Sequence, residues 1–233
     1  MKLAFPLALG IILFSSTVSA QNEKVIVKFC PPALIDIVGF PTFQVGVEQR
    51  LSRHFSFYNE AGIELYHFSK SDTNFIGSSG FKLKTELRYY FKKKHSRRNF
   101  YKTPAAYTMN GQYAAVNAFY VHNNFNKQIS YFPDGGPDMK EDAMGIRKTV
   151  WGLNLLVGIQ QHWGRKFVLD AYTGLGVRYR YITDINRQFI PDKDRVSTSI
   201  DPSIHEWLDG VDARGGYSVA PNFTLGFRIG YRL

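Results

Sequence analysis

Residues able to do chemistry fall into three groups in this 233-residue chain. The first is Ser203, His205 and Glu206, which place a hydroxyl, a base and a carboxylate within the stretch Ser-Ile-His-Glu-Trp. Neighbours in one loop rarely hold the geometry that a nucleophile and its base require, so solvated loop residues are the simpler reading. The second is His67 and His122, near the ends of alternating segments, where Asp184 would have to join them to orient a base at a surface. The third is a set of charges that recurs at every second position: Glu48, Arg50, Glu60, Glu64, Lys82, Lys84, Glu86, Arg88, Asp170, Arg178, Arg180, Arg228 and Arg232.

Other signals are weaker. His162 and His205 lack partners at zinc-ligand spacing. Gly174-Leu175-Gly176 lies inside an alternating run and cannot form a phosphate-binding turn. Asp134-Gly135-Gly136 with Asp138 reads as a turn before it reads as a calcium loop. No catalytic residue, cofactor or metal is assigned on this basis.

The elements carrying the third group are strands. Phe223 to Leu233 alternates without a slip, with Phe223, Leu225, Phe227, Ile229, Tyr231 and Leu233 on one face and Thr224, Gly226, Arg228, Gly230 and Arg232 on the other. Period two with such contrast means a strand between two different solvents. A soluble edge strand this apolar would aggregate, whereas a transmembrane barrel requires the pattern, over the roughly 9–11 residues a tilted strand needs to span. The alternation recurs in Phe43–Leu51, Phe55–Leu65, Phe81–Phe91, Gln112–His122, Trp151–Ile159 and Phe167–Tyr181. These are seven segments. Single-chain bacterial barrels have even counts, so an eighth strand is expected in Val25–Ile37, disturbed by Pro31-Pro32 because proline cannot donate to a ladder.

The fold class is therefore all-β, a transmembrane antiparallel up-and-down barrel of eight strands. Short connections at 52–54 and 162–165 mark the periplasmic side, with both termini. The loops at 68–79, 124–148 and 183–221 face outward, and the long periplasmic exception is 93–110. In an interior just wide enough for side chains, the alternating charges must pair and plug the lumen. Hairpin register is expected to set Glu64 near Lys82 and Lys84, Glu60 near Arg88, and Asp170 near Arg228. Tyr58 and Tyr90 add bulk to the plug.

Composition agrees with an exported barrel. Residues 1–20 read as a signal peptide: Lys2, an apolar run from Leu3 to Phe14, then Val18-Ser19-Ala20 before Gln21. Residues 21–233 form one barrel domain, and aromatic residues make up 15% of the chain, as girdles at two interfaces demand. The sole cysteine, Cys30, allows no internal disulfide and has no lipobox before it. The formal charge of +10, or +9 once Lys2 leaves with the signal peptide, points in an exported chain to anionic lipid or polysaccharide, not nucleic acid. Lys92 to Arg98 is the densest basic run, placed to meet lipid phosphate or an acidic periplasmic partner.

Pro41 to Leu51 running into Phe55 to Gly62, Glu86-Leu87-Arg88-Tyr89-Tyr90-Phe91, Gly111 to Tyr120, and Gly174-Leu175-Gly176-Val177-Arg178-Tyr179 together resemble the small outer-membrane β-barrel proteins of Gram-negative bacteria, a family of unknown function. The resemblance covers most of the mature chain. It implies a barrel in the outer membrane and brings no catalytic residues with it. Two departures are Pro31-Pro32 in the first strand and Leu233 where barrel-assembly signals end in an aromatic residue.

The expected role is non-enzymatic: structural, or surface recognition and adhesion. Its partners are outer-membrane lipid and lipopolysaccharide, the barrel-assembly machinery during insertion, and a surface ligand. Alternatives are an outer-leaflet lipid-modifying or proteolytic enzyme, which would need converging rim residues, and a narrow transporter of a small solute, which would need an open lumen. In the long 183–221 connection Trp207 is the recognition candidate, because aromatic anchors dominate binding surfaces.

Overall fold

The structure, a computed structural model of the chain, describes residues 25–31, 42–65, 75–91, 109–164, 166–186, 188, 190, 193–196 and 216–233. The signal-peptide segment, Pro32, His67, the basic run Lys92 to Arg98, Ser203, His205, Glu206 and Trp207 lie outside the described residues. The strands are β1 (Val25–Phe29), β2 (Thr42–Arg50), β3 (Phe55–Glu64), β4 (Phe75–Tyr90), β5 (Gly111–Phe132), β6 (Lys140–Trp163), β7 (Phe167–Ile185), the two-residue β8 (Arg195–Val196) and β9 (Gly216–Arg232).

Each long strand pairs antiparallel with its sequence neighbour. β7 pairs with β9, and β9 returns to β1 through Ile26↔Arg232 to Phe29↔Ile229, which closes the ring. The barrel therefore has eight staves in up-and-down order. The remaining strand, β8, lies outside the ring on Tyr131 and Phe132 of β5. Closure pairs the two end staves, β1 and β9, from Ile26↔Arg232 to Phe29↔Ile229, and so protects the seam of a sheet with such an apolar face from edge-to-edge association.

The two ends differ. At one, called here the turn end, residues 51–54 join β2 to β3 and the Leu51 amide donates to the Phe55 carbonyl at 2.9 Å. At the same end β6 passes to β7 around Gly164, whose φ of +68° suits glycine. Both termini of the ring, Val25 and Arg232, are at this end. The other, the arm end, carries a hairpin in which β5 and β6 remain paired from Gly111↔Gln160 to Tyr131↔Lys140. A 3-10 turn at Pro133–Gly135 closes it, with Asp134 at φ 49°, so the Asp-Gly-Gly stretch is a turn.

The first strand breaks at the proline pair, as expected: β1 ends at Phe29, the Cys30 amide still donates to the Gln44 carbonyl at 3.3 Å, and Pro31 has no amide proton to continue the ladder. Other boundaries differ from expectation: β4 begins at Phe75, inside the expected 68–79 loop. Residues 124–148, expected as a loop, are mostly strand, and β5 and β6 are 22 and 24 residues long. β9 begins at Gly216, seven positions before the alternation becomes plain at Phe223. At the arm end the outward face turns polar (Asn124, Asn126 and Arg147), so pairing continues where apolar contrast does not.

Candidate functional site: the charged interior

Strand parity sends Lys28, Glu48, Glu60, Lys84, Glu86, Arg88, Asp170 and Arg228 inward, and every one of them is buried or nearly so. Arg88 and Arg228 are 0% exposed. Four cations face four carboxylates, and their contacts form one continuous network. The Lys28 ammonium lies 2.6 Å from Glu48 and 2.7 Å from Asp170. Arg88 reaches Glu86 at 2.5 Å, Asp170 at 2.9 Å and Glu48 at 3.3 Å. Arg228 reaches Glu86 at 2.7 Å and Glu60 at 2.9 Å, and Lys84 reaches Glu60 at 2.8 Å. The net charge of this cluster is zero, which is the condition for holding so many ions out of water.

Neutral groups complete the coordination. Tyr58 donates its hydroxyl to Glu60, Tyr90 to Glu48 and Tyr113 to Asp170, each at 2.7 Å, and Ser56 donates to Glu48 at 2.5 Å. Gln160 accepts from Lys28 and Arg88 and donates to the Met109 carbonyl at 2.7 Å. The tyrosine rings also stack on the guanidinium groups. Arg88 sits 4.6 Å from the Tyr58 and Tyr113 centroids, and Arg228 sits 4.4 Å from Tyr58 and 4.0 Å from Tyr172.

Glycine makes room for those rings. A Cβ at Gly46, Gly158 or Gly226 would fall 2.3–2.4 Å from the nearest side-chain atom of Tyr58, Tyr113 or Tyr172. Each of these three tyrosines thus packs against a bare stretch of neighbouring strand and lies within 4.6 Å of an arginine guanidinium.

The interior differs in detail from the sequence reading. Asp170 does stand opposite Arg228, although their closest charged atoms are 3.7 Å apart and Arg88 and Lys28 are nearer. Glu60 stands opposite Lys84, not Arg88, and Glu64 accepts a hydrogen bond from Ser78 at 2.7 Å. Arg50 turns to the Ser52 carbonyl at 3.1 Å, at the turn end and outside the network. Arg180 donates to Ser218 at 2.9 Å, and Arg232 approaches His162 at 3.5 Å. Arg178, Arg180 and Lys82 stand farther toward the arm end than Asp170 and Lys84 on their own strands.

Sequence reasoning missed Lys28, Gln160, Tyr113 and Tyr172. Lys28 was hidden by the proline pair, although Ile26 and Lys28 already alternate with Val25, Val27 and Phe29. The tyrosines carried a readable sign: Tyr113 pairs with Gly158 and Tyr172 with Gly226 directly across the ladder.

Outside the barrel the polarity is reversed. Phe223, Leu225, Phe227, Ile229, Tyr231 and Leu233 all face outward and are exposed, Leu225 at 75%. Aromatic rows mark both ends of this face. Phe55, Tyr89 and Phe91 meet at the turn end, as do Phe167 and Tyr231. Trp151, Tyr179, Tyr217 and Tyr181 form a continuous series toward the arm end, with centroids 4.4–5.6 Å apart.

His122 also faces outward. It contacts Thr149 at 3.1 Å, while the register sets Asp184 against Ile146, so the two do not occupy neighbouring ladder positions. Among the described residues no group of three or more His, Cys, Asp or Glu side chains is placed to hold a metal ion.

No family model matches the chain, and no curated protein matches it in sequence. Two solved structures are similar over most of the chain. One is the N-terminal β-barrel domain of Pseudomonas aeruginosa OprF, at 10% identity and a TM-score of 0.35, covering 91% of this chain and 98% of that one. The other is a major outer membrane protein from Thermus thermophilus, at 14% identity and a TM-score of 0.38, covering 91% of this chain and 100% of that one.

Proposed function

We propose that this protein is a non-enzymatic outer-membrane barrel that presents its arm-end segments on the cell surface and seals the membrane it crosses. The observation that carries this reading is the inversion of polarity: a neutral, buried ion network inside and large exposed apolar side chains outside. On β6 the exterior runs Trp151, Leu153, Leu155, Val157, Ile159, Gln161, Trp163. At about 3.3 Å per residue and a tilt near 40° the two tryptophans are about 30 Å apart along the barrel axis, close to the roughly 25 Å apolar band of such proteins plus its aromatic edges.

With short turns on the periplasmic side, both termini lie in the periplasm and the β5–β6 arm projects outward. Lipid, lipopolysaccharide and the assembly machinery are then the partners, and the arm with the 186–215 connection is the recognition surface. An enzyme would need a base and an orienting carboxylate converging on a pocket; His122 keeps company with Thr149 and Asn124 instead. A transporter would need a continuous path through Arg88, Arg228, Tyr58 and Tyr113.

The test is reconstitution of the refolded, mature chain into planar bilayers. The expected record is silent, with insertion verified separately by heat-modifiable gel mobility. Sustained, ion-selective conductance from the monomer overturns the sealed-barrel reading. Failure to insert at all overturns the membrane assignment.

A further inference from the structure

Just beyond the outer aromatic row, four outward side chains on β5 and β6 form a hydrogen-bonded chain. The Arg147 Nε–H donates to Asn124 Oδ1 at 3.3 Å, Asn124 Nδ2 approaches His122 Nε2 at 3.4 Å, and His122 Nδ1 lies 3.1 Å from Thr149 Oγ1. Its polarity is fixed from one end. Because the Asn124 carbonyl accepts from arginine, its amide must donate, so His122 Nε2 is the acceptor and the ring proton sits on Nδ1, donated to Thr149.

The register places these groups side by side: His122 opposite Thr149, and Asn124 opposite Arg147. Tyr120 and Trp151 pair one outward step nearer the turn end, and Phe81 packs against both Tyr120 and His122 at 5.8 Å. Arg147 is exposed, and the nitrogen that Asn124 holds is its Nε and not one of the two terminal nitrogens.

A guanidinium held by its Nε and not by its terminal fork matches phosphate oxygens in a bidentate way that a lysine cannot. Its height selects the source of that phosphate. The aromatic row marks the membrane interface, so the fork lies at headgroup level and not in the apolar band.

We propose that Arg147 binds the phosphate of a phosphorylated lipid headgroup in the outer leaflet, aimed by the Asn124–His122–Thr149 chain. This rests on the outer-membrane reading above. Arg147 is the contact residue; Asn124, His122 and Thr149 are positioning residues.

The experiment uses the full mature barrel in nanodiscs of phosphatidylcholine containing a minor fraction of phosphatidic acid, with lipid adducts counted by native mass spectrometry. Phosphatidic acid is expected to be retained over phosphatidylcholine. Arg147→Gln should lower that preference about tenfold, the worth of one charge-assisted contact, with Arg147→Lys falling between. Thr149→Val should lower it about threefold and Thr149→Ser should restore it, a rescue that a purely structural role would not require.

Inorganic phosphate at millimolar concentration is the competing arm. If it displaces phosphatidic acid completely, the site is a free-anion site and the lipid assignment falls. Equal retention by Arg147→Gln and the parent overturns the proposal. If the parent inserts and shows no preference, only this inference fails; if it does not insert, the outer-membrane reading fails with it.

Discussion

Asp170 is the sharpest point at which to test the interior network. Its carboxylate receives Lys28 at 2.7 Å, Arg88 at 2.9 Å and the Tyr113 hydroxyl at 2.7 Å, and it is 0% exposed. Asp170→Asn keeps the shape and removes the charge. At an effective dielectric of about 20, each of the two closest ion contacts is worth roughly 6 kcal/mol of gross Coulomb energy. Most of that is offset, because ion burial itself costs several kcal/mol per group. What remains is one surplus buried cation, and breaking a buried pair in this way costs about 3–5 kcal/mol.

The companion variant, Asp170→Asn with Lys28→Met, restores neutrality and replaces the ammonium with an apolar group of similar length. It should return to within about 1–2 kcal/mol of the parent, since exchanging a whole buried pair is often close to neutral. The assay is equilibrium urea unfolding in lipid vesicles, read by tryptophan fluorescence and by the fraction of heat-modifiable band. A cost under about 1 kcal/mol for the single variant would refute the idea that charge balance, and not packing alone, holds the interior. So would a double variant less stable than the single one.

Other perturbations read the remaining features. Phe227→Arg on the exterior should cost about 2–4 kcal/mol if it lies near the bilayer midplane, whereas Thr224→Arg is limited by interior space; equal loss of heat-modifiable mobility in both would count against the assigned faces. Gly226→Ala puts a methyl 2.3 Å from the Tyr172 ring and should destabilise by about 1–3 kcal/mol in the same urea titration, with Tyr172→Leu in that background recovering part of the loss. Deleting residues 198–212, which contain Trp207, should leave the heat-modifiable band intact, because β7 and β9 pair fully from Phe167↔Tyr231 to Ile182↔Gly216. Loss of that band would assign the segment to the barrel.

The barrel was readable in the sequence wherever two solvents act on one strand. Phe223 to Leu233, Phe43 to Leu51 and Phe55 to Leu65 alternate because lipid-type exposure and a polar interior alternate along them. The same rule explains the misses. Beyond His122 the contrast reverses, with Phe125, Tyr131 and Ile146 buried inside and Asn124, Asn126 and Arg147 outside, so the run Asn123-Asn124 interrupted the apolar-out pattern although the ladder continues. The interior charges were legible as a set, because parity alone sends Glu48, Glu60, Glu86, Arg88, Asp170 and Arg228 inward. Their partners were not, since a ring brings together strands far apart in sequence: Lys28 meets Asp170, and Arg228 meets Glu60. No local pattern encodes those contacts.

That same separation bears on the order in which the molecule assembles. The Lys28–Asp170 and Arg228–Glu60 contacts join residues 142 and 168 positions apart. Neither can form in an open sheet, because they depend on β9 meeting β1 through Ile26 and Arg232. The ionic interior is therefore a latch that engages last. Until then an incomplete barrel holds four carboxylates and four cations without their full complement of partners. Once the seam closes, escape requires all of them to separate together. Interactions absent from the folding transition state act mainly on the unfolding rate. The latch thus gives this barrel its residence time in the membrane more than its speed of insertion, and Asp170→Asn should shed the folded state faster while inserting at nearly the parent's rate.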